Sequence, residues 1–459
     1  MTDLPVQLRD RLQRHGQGHV LALWNQLDLA ARPELLRQLQ AIDFDLLGRL
    51  FAQRDRGEAT LVPERIAPIP VVPHGDSSHR HRHAQGEELL RRGEVAALVV
   101  AGGQGSRLGF DQPKGMYPVG PVSRKSLFQI HAEKVLALGR RYGHPIPFLV
   151  MTSPATHDDT MAYFREQRNF GLSPDQVHFF CQGTMPALDL ATGRLLFEAP
   201  GKLFLSPDGH GGTLTALATS GLLAEMKSRG VRHIFYFQVD NPLVRIADPT
   251  FLGHHVAAHS EVSSKVVAKR GPREKVGVFA RVDGRCSIVE YSDLPEQLAH
   301  ATDAEGRLLL WAGNPAIHLF DVGFLERMTA SPESLPFHLA RKKVPHLDES
   351  GRLVEPKIEN ALKFERFIFD VLPAAERWVK VETTRPLEFA PLKNAEGDDS
   401  PATVEKALVD QAAGWLASAG VEVVGQPRLE ISPLYALDAE ELSRKLPQPL
   451  RLDDHRYFE

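Results

Sequence analysis

The sequence predicts an α/β protein with a mixed, mostly parallel sheet and helices on both of its faces. Apolar runs that suit buried strands recur along the chain, beginning with Val95–Val100. Segments with helical periodicity separate these runs, and residues 126–140 are the clearest of them. Because strands that alternate with helices are joined by right-handed crossovers, most of the strands are expected to run in parallel.

Length and composition limit the classes of protein to consider. The chain has 459 residues, more than one typical domain, and its 42% apolar and 24% charged residues are ordinary for a globular protein. A net charge of −4 offers no general attraction to nucleic acid or to an anionic membrane, so neither is expected as a partner. No apolar run is long enough to span a membrane, and the N-terminal sequence lacks the pattern of a signal peptide. Two cysteines make no disulfide framework, and we expect a cytoplasmic protein.

The pattern divides the chain into three predicted parts. Residues 1–92 form a helical N-terminal region with a linker, residues 93–375 an α/β catalytic domain, and residues 376–459 a small α+β C-terminal domain. Within the last two parts, strands are predicted at 95–100, 146–151, 177–180, 233–240, 262–268, 421–424 and 429–431, and helices at 126–140, 158–168 and 404–417. Asp283-Gly284 lies between two alternating segments, which predicts a hairpin.

A histidine-rich segment precedes the first core strand. Residues 62–85 hold four prolines and then His74, His79, His81 and His83. These histidines alternate with basic residues, and no cysteine or carboxylate cluster completes a metal site near them in the sequence. The segment is therefore interpreted as a solvated linker.

The strand at Val95–Val100 leads into a loop that contains Gly102, Gly103, Gly105 and Gly109. Glycines allow the backbone to approach a ligand closely, and successive N–H groups form an anion-binding concavity. Two cations follow, Arg107 and Lys114. Leu108 stands where a dinucleotide-binding fingerprint needs its third glycine, and the spacing of a P-loop is missing as well. The loop predicts a phosphate site; the alternative is an ordinary glycine-rich turn.

Other segments could complete such a site. Gly209, Gly211 and Gly212 precede a predicted helix, whose N-terminus favours an anion or polar ligand, although a plain helix start gives the same pattern. Asp240 ends an apolar strand, where a carboxylate could bind Mg²⁺ or simply cap a turn. Because ligands of parallel sheets bind at the carboxyl ends of the strands, Gly102 and Asp240 are both expected at that edge.

The chain resembles the eukaryotic-type UDP-sugar pyrophosphorylases, and most closely their UDP-N-acetylhexosamine branch. The blocks that carry the resemblance cover nearly the whole chain and stand in the order typical of that branch: GHVLALWNQL, AGGQGSRLG, PKGMYPVG, SRKSLFQIHAEK, PDGHGG, VDNPLVRIADP, VEYSDL, WAGN, KFERFIFD and PLKNAEG. The resemblance implies a nucleotidyltransferase (Rossmann-like) core with a helical N-terminal region and a small C-terminal domain. It also implies a uridylyltransferase that makes a UDP-sugar and pyrophosphate from UTP and a sugar 1-phosphate, with Mg²⁺.

The resemblance assigns roles to matching residues. Val100, Ala101, Gly102 and Gly103 would bind UTP through backbone amides, with Arg107 and Lys114 on its phosphates and Asp240 on Mg²⁺. Further roles are implied for residues outside this loop: Gln182 and Gly209 on uracil; His210, Glu290, Tyr291 and Asn314 on the sugar; Lys363 on the nucleotide phosphates; and Lys393 on the sugar phosphate.

Three residues depart from the N-acetylhexosamine pattern, and one of the changes, Ser106 in place of the usual Thr, is mild. His210 stands where that branch usually has Asn, as in the UDP-glucose branch, and Trp311 stands where Asn is typical. The resemblance implies N-acetylglucosamine 1-phosphate as the substrate. Glucose 1-phosphate is one alternative, and a catalytically silent nucleotide-sugar-binding protein is another. The sequence leaves the oligomeric state open.

Overall fold

The computed structural model describes residues 4–55, 62–330, 335–348, 350–447 and 450–459. The chain forms two compact units, each assembled from three separate stretches. The first unit comprises Met1–Thr60, Gln182–Thr213 and Leu335–Asp370, and the second comprises Leu61–Cys181, Leu214–Ser334 and Val371–Glu459. Among the described residues, no helix combines the length and the apolar character needed to cross a bilayer. The domain boundaries predicted near residues 92 and 375 stay predictions.

Helices occur in all three predicted parts of the chain. They are α1 (Val6–Arg14), α2 (His19–Gln26), α3 (Arg32–Ala41), α4 (Phe44–Ala52), α5 (His79–Arg91), α6 (Leu127–Tyr142), α7 (His157–Glu166), α8 (Gly212–Thr219), α9 (Leu222–Ser228), α10 (Pro249–Ala257), α11 (Glu296–His300), α12 (Val322–Thr329), α13 (Arg385–Glu388), α14 (Pro401–Ser418) and α15 (Ala439–Lys445). The helices predicted within residues 5–55 and at 126–140, 158–168 and 404–417 are confirmed, with ends that differ by a few residues.

Strands are numbered in the same way. They are β1 (Ile66–Ala67), β2 (Val95–Val100), β3 (Phe148–Thr152), β4 (Val177–Cys181), β5 (Thr184–Pro186), β6 (Leu188–Asp189), β7 (Phe197–Ala199), β8 (Lys202–Leu203), β9 (Leu205–Pro207), β10 (His233–Gln238), β11 (Val262–Ala268), β12 (Val278–Val282), β13 (Arg285–Val289), β14 (Ala312–Gly313), β15 (His318–Asp321), β16 (His338–Lys342), β17 (His346–Leu347), β18 (Leu353–Val354), β19 (Ala361–Glu365), β20 (Trp378–Glu382), β21 (Glu422–Val423), β22 (Leu429–Ile431), β23 (Arg451–Leu452) and β24 (Arg456–Phe458). All the predicted strands are present, and β2, β11 and β22 have the predicted bounds.

The second unit is built on one large mixed sheet, which confirms the predicted fold class. Strands β10, β2, β3 and β4 lie side by side in parallel, with Gln238 opposite Val100 and Val100 opposite Met151. On the other side of β10 the antiparallel β15 leads to β11, which pairs in parallel with β20. Because β10 and β2 are parallel neighbours, the loops after Val100 and Gln238 leave the same edge of the sheet.

The predicted hairpin is confirmed at the edge of this sheet. Strands β12 and β13 pair antiparallel around Asp283 and Gly284, whose φ angles are +51° and +77°. Positive φ at both central residues is the conformation that an Asp-Gly pair favours in a two-residue hairpin.

The linker interpretation of residues 62–85 is wrong where the segment forms β1 and the start of α5. Ile66–Ala67 pairs with β12 as an edge strand, and α5 begins at His79 within the histidine-rich segment. The polar stretch is helical because the rest of α5 packs tightly, with Gly86, Leu89 and Leu90 buried. Tertiary packing thus determines the secondary structure of a segment that has no apolar periodicity of its own.

The first unit has its own core. It joins buried residues of the N-terminal helices, such as Leu12 and Leu47, to Phe197 and Leu203 of the second stretch and to Phe364 of the third. The stretches that carry Gln182, Gly209 and Lys363 therefore share one core with α1–α4.

Candidate active site

The glycine loop after β2 presents free amides at the edge of the sheet. The N–H of Ala101 donates to the Met151 carbonyl at 2.8 Å, so this amide still belongs to the sheet. The N–H groups of Gly102 and Gly103 donate to no acceptor among the residues that the structure describes. The Ser153 hydroxyl donates to the Gly102 carbonyl at 2.8 Å and fixes the orientation of that peptide. Two successive amides, those of Gly102 and Gly103, are therefore available to an anion. The same role implied for the Ala101 amide is wrong, because that N–H is already used in the sheet.

Lys114 returns to this loop through its backbone. Its N–H donates to the Gly103 carbonyl at 3.0 Å, and Gly115 packs so closely on Phe128 that a Cβ atom there would lie 2.3 Å from the ring. The Lys114 Nζ atom lies 3.9 Å from Asp240 Oδ2, at ion-pair distance. Arg107 lies in the same loop and is exposed.

Helix α6 holds the loop that follows β10 and carries Asp240. His131 Nε2 lies 2.9 Å from the Val239 carbonyl, and Lys134 Nζ donates to the carbonyls of Pro242 at 2.5 Å and Val244 at 2.9 Å. Burial lowers the pKa of His131 to about 3 and that of Lys134 to about 7. His131 is therefore neutral at neutral pH, and its Nε2 atom donates to the carbonyl.

A segment from the C-terminal part of the second unit lies against Asp240. The Leu392 N–H donates to the Asp240 carbonyl at 2.8 Å. The Asn241 side chain bridges to the same segment, donating to the Glu388 carbonyl at 2.6 Å and accepting from the Ala390 N–H at 3.1 Å. These bonds bring Lys393, the residue after Leu392, into the neighbourhood of Asp240.

Glu290 and Asn314 gather around Gly277 in the antiparallel part of the same unit. The Asn314 N–H donates to the Gly277 carbonyl at 2.9 Å, and a Cβ atom on Gly277 would lie 2.8 Å from Glu290 Oε1. Tyr291 follows with its residue 49% exposed. Three residues assigned to the sugar by resemblance thus lie in one region of the second unit.

In the first unit, the second glycine loop wraps around a buried carboxyl group. Burial raises the pKa of Asp208 to about 6, against the opposing charge of Arg366, and the Gln182 side chain hydrogen-bonds to this carboxyl. A Cβ atom on Gly212 would lie 2.0 Å from Asp208 Oδ1, and one on Gly209 would lie 2.4 Å from the Arg366 carbonyl. A side chain at either position would overlap a neighbouring atom, so both positions require glycine. Gly209 also has a φ of +83°, which favours glycine.

His210 is fixed as a neutral ring. It stacks on Phe367 with ring centroids 5.4 Å apart, and its Nδ1 atom accepts the Ile368 N–H at 3.2 Å. Burial lowers its pKa to about 4, opposed by Asp370 and assisted by His338. Since Nδ1 is an acceptor, the proton resides on Nε2, which is the atom left to donate to a ligand.

Lys363 lies on β19 of the first unit. Its Nζ atom lies 4.7 Å from the centre of the Phe204 ring, and burial lowers its pKa. Lys363 is therefore a half-buried cation, whereas most lysines are exposed on the surface.

Comparison with known proteins identifies the family. Residues 43–440 match the family described as UTP–glucose-1-phosphate uridylyltransferase. The chain belongs to this family. It is 38% identical to a UDP-N-acetylhexosamine pyrophosphorylase-like protein of Mus musculus, over 98% of both chains. It is 37% identical to a UDP-N-acetylglucosamine pyrophosphorylase of Saccharomyces cerevisiae, over 95% of this chain and 93% of the relative.

A solved structure gives the same result. The UDP-N-acetylglucosamine pyrophosphorylase of Trypanosoma brucei, crystallised with an inhibitor, is 28% identical and superimposes with a TM-score of 0.82. The match covers 99% of this chain and 98% of that one. The predicted family resemblance and the nucleotidyltransferase fold are therefore confirmed.

The predicted residues of this family member fall into two sets. The second unit brings together the Val100–Gly103 loop, Lys114, Asp240 and the segment of Lys393, and it carries Arg107 and the group of Glu290, Tyr291 and Asn314. The first unit holds Gln182, Gly209 and His210 in the region of Asp208 and Arg366, and it carries Lys363 on β19.

Sequence reasoning missed the residues that hold these loops. His131 and Lys134 lie in the SRKSLFQIHAEK block, which we used for its apolar periodicity and its resemblance. Asn241 follows Asp240 directly, and its partners lie some 150 residues further along the chain. The available signal was His131 itself, a polar residue next to Ile130 and Ala132, which are buried with it in α6.

Proposed function

We propose that the chain transfers uridylyl from UTP to N-acetylglucosamine 1-phosphate, forming UDP-N-acetylglucosamine and pyrophosphate. Formation of a UDP-sugar from UTP and a sugar 1-phosphate is the reaction of its family. The observation that carries the proposal for this chain is the pair of free amides at Gly102 and Gly103 beside Lys114 and Asp240. Together they provide two backbone N–H donors, a cation and a carboxylate oxygen ligand at one edge of the sheet.

The reaction needs alignment and charge neutralisation rather than a covalent intermediate. An oxygen of the sugar phosphate attacks the α-phosphorus of UTP in line, a new P–O bond forms, and the bond to the β-phosphate breaks as pyrophosphate leaves. In this proposal Gly102 and Gly103 donate to the triphosphate, and Arg107 and Lys114 neutralise its charge. Fixed donors of this kind stabilise a transition state without reorganisation. The nucleophile is already an anion, so no general base is required.

Asp240 fits the requirements of a divalent cation, which this family typically uses. Its side chain is only 11% exposed, and a carboxylate oxygen is the ligand that Mg²⁺ prefers, together with substrate phosphates. We assign Asp240 as the protein ligand of Mg²⁺. The bound ion would neutralise phosphate charge.

The other roles follow from the resemblance and from local structure. Gln182 and Gly209 are assigned to uracil, since side-chain and backbone amides suit the edge of a base. Glu290, Tyr291 and Asn314, which share a region of the second unit, are assigned to the sugar. Lys363 is assigned to the nucleotide phosphates and Lys393 to the sugar phosphate.

N-acetylglucosamine is favoured by the names of the relatives, which are 36–38% identical over nearly the whole chain. His210 is the feature that favours glucose, because the UDP-glucose branch has His at this point. The neutral ring offers its Nε2–H as a donor, and a donor can serve either sugar. The two substrates therefore have to be compared directly.

A pyrophosphate-release assay tests the proposal. The purified chain is incubated with UTP and Mg²⁺ and with each of N-acetylglucosamine 1-phosphate, N-acetylgalactosamine 1-phosphate and glucose 1-phosphate. We expect turnover only when both substrates are present, the largest kcat/KM with N-acetylglucosamine 1-phosphate, and loss of activity with excess chelator that Mg²⁺ reverses. A preference for glucose 1-phosphate would support the first alternative. Calorimetric binding of UDP-N-acetylglucosamine without turnover in either direction would support a silent binding protein.

A further inference from the structure

Three potential metal ligands meet in the second unit, in a region that the proposed reaction does not use. Asp76, His79 and His254 each place one ligand atom within 4.8 Å of the other two. Nδ1 of His79 lies 2.9 Å from Nε2 of His254, and the two rings are inclined by 80°. Asp76 precedes α5, His79 opens that helix, and His254 lies in α10, so the group joins two elements that are far apart in sequence.

The two helices that carry the histidines are held at short distance by glycines. A Cβ atom on Gly86 of α5 would lie 1.9 Å from the Pro249 carbonyl oxygen, and one on Gly253 of α10 would lie 1.8 Å from the Arg82 carbonyl oxygen. Contacts this close leave the helices little freedom to separate. The close backbone approach thus sets the distance between the positions from which the two imidazoles extend, which contributes to the preorganisation that a metal site needs.

The carboxylate is positioned by its own turn. The His79 N–H donates to the Asp76 carbonyl at 3.1 Å, and the Ser78 N–H donates to Asp76 Oδ1 at 2.9 Å. These hydrogen bonds fix the position of the carboxylate next to the start of α5.

The spacing of the two imidazoles is close to that in a metal site. At this distance one of the two facing nitrogens donates a hydrogen bond and the other accepts it with its lone pair. Two nitrogens on one tetrahedral Zn²⁺ lie about 3.3 Å apart, given Zn–N bonds of about 2.0–2.1 Å. The observed 2.9 Å therefore needs only a small increase when one ion binds both nitrogens, and the proton between them moves to the other nitrogen of its ring or is released to solvent.

We propose that Asp76, His79 and His254 bind one divalent transition-metal ion of the Zn²⁺ class, with solvent as a fourth ligand. Two imidazoles and one carboxylate are a donor set that suits Zn²⁺ and related ions, whereas Mg²⁺ prefers oxygen ligands. The ion clamps the start of α5 to α10, and α10 follows the loop that carries Asp240. The site is separate from the Mg²⁺ site proposed at Asp240 and does not depend on the proposed reaction.

Co²⁺ is the probe that tests the site, because its visible absorption reports tetrahedral coordination by nitrogen and oxygen. The full chain is stripped with a chelator, returned to excess Mg²⁺ to occupy oxygen-rich sites, and titrated with Co²⁺ and then with competing Zn²⁺. We expect one Co²⁺ per chain with the absorption of a four-coordinate ion, and displacement of that ion by Zn²⁺. His79→Gln and His254→Gln should abolish the signal, and Asp76→Asn should weaken binding.

His81→Gln is the matched control, since His81 is exposed in the same helix and is not part of the group. It should bind Co²⁺ as the unmodified chain does. In a melting experiment Zn²⁺ should raise the Tm of the unmodified chain and of His81→Gln but not that of His79→Gln. His79 is only partly buried, so this variant decides the question if His254→Gln does not fold.

The proposal is overturned if the unmodified chain binds no stoichiometric Co²⁺ in excess Mg²⁺. It is equally overturned if His79→Gln binds Co²⁺ as tightly as the unmodified chain, or if His81→Gln loses the signal to the same degree.

Discussion

Lys114 shows how a single residue is prepared for a phosphate. Its backbone is fixed by Gly103 and by the packing of Gly115, so the side chain is not needed to hold the loop. The ammonium group lies 3.9 Å from Asp240 Oδ2, beyond direct hydrogen-bond distance. The ammonium group is therefore held in position without a direct hydrogen bond to Asp240. An incoming phosphate can bind it without first breaking such a bond.

We therefore expect Lys114→Ala to lower kcat/KM by about 10²–10³, since removing one preorganised contact to a transition state commonly has an effect of this size. Lys227→Ala is the control, because the Lys227 Nζ atom pairs with Glu326 on the surface and its side chain is 59% exposed. The measurement is steady-state pyrophosphate release, with circular dichroism to confirm that both variants fold. Equal rates for the two variants would exclude the assigned role of Lys114.

The buried Asp208 carboxyl group should make the stability of the fold depend on pH. Its pKa in the folded chain is about 6 because the carboxyl group is buried, and its ordinary value is 3.8. A raised carboxyl pKa means that the folded state binds the proton more tightly than the unfolded state. The resulting stabilisation is complete below pH 3.8 and is lost as the pH rises through about 6.

Asp208→Asn removes this dependence because an amide does not titrate. Relative to the unmodified chain, the variant should gain up to about 3 kcal/mol of stability between about pH 4 and pH 7, from a shift of about two pKa units. Urea unfolding of both proteins at several pH values measures the difference. Parallel pH profiles for the two proteins would show that Asp208 is an ordinary carboxylate.

At the scale of elements, the contact between α5 and α10 depends on two glycines. A methyl group on Gly253 would overlap the Arg82 carbonyl, so one helix would have to move away from the other. We expect Gly253→Ala to destabilise the second unit by about 1–3 kcal/mol, as overpacking commonly does.

Gly414→Ala is the matched control, since Gly414 lies in α14 of the same unit with nothing within 4 Å of an added Cβ atom. This change should be neutral or should stabilise by up to about 1 kcal/mol, because Ala is the better helix former. Urea midpoints of the two variants provide the comparison. Equal midpoints would show that the helix contact adapts to the extra methyl group.

The elements that could be predicted from the sequence are those whose signal is local. β2 and β11 are continuous apolar runs, and the sequence marks their ends correctly. The hairpin at Asp283-Gly284 follows from the positive φ that this pair accepts. Helix α5 could not be predicted, because its HRHRH start has no apolar period and its helical state depends on packing against α10.

The candidate active site also combines features with a local sequence signal and features that depend on long-range contacts. The glycine loop and Asp240 were predicted, since each stands directly after an apolar strand and parallel strands end at one edge. The bonds from His131, Lys134 and Asn241 that fix the loop of Asp240 link residues more than 100 positions apart. No local pattern contains such pairings, and the meeting of His254 with His79 escaped the sequence for the same reason.

For the whole molecule, the N-terminal helices contribute to the stability of the first unit, although they contain no chemical motif. Leu12 lies in one hydrophobic core with Phe197, Leu203 and Phe364, which belong to the stretches around the second glycine loop and β19. Those stretches also carry Gln182, His210 and Lys363. The helices are therefore expected to stabilise the part of the chain assigned to uracil, although they supply none of its contacts.

A pair of substitutions in α1 tests this dependence. Leu12 is 0% exposed and Val6 is 70% exposed in the same helix. Leu12→Ala should cost the first unit about 2–5 kcal/mol through lost burial and a cavity, whereas Val6→Ala should change its stability by less than about 0.5 kcal/mol. Because the chain has two units, hydrogen exchange read peptide by peptide is a better measurement than a single melting curve. Leu12→Ala should speed exchange throughout residues 182–213 and 335–370 as well as in α1–α4. Faster exchange confined to α1 would show that the helix can open without the rest of the first unit, and the shared core would then not act as one cooperative body.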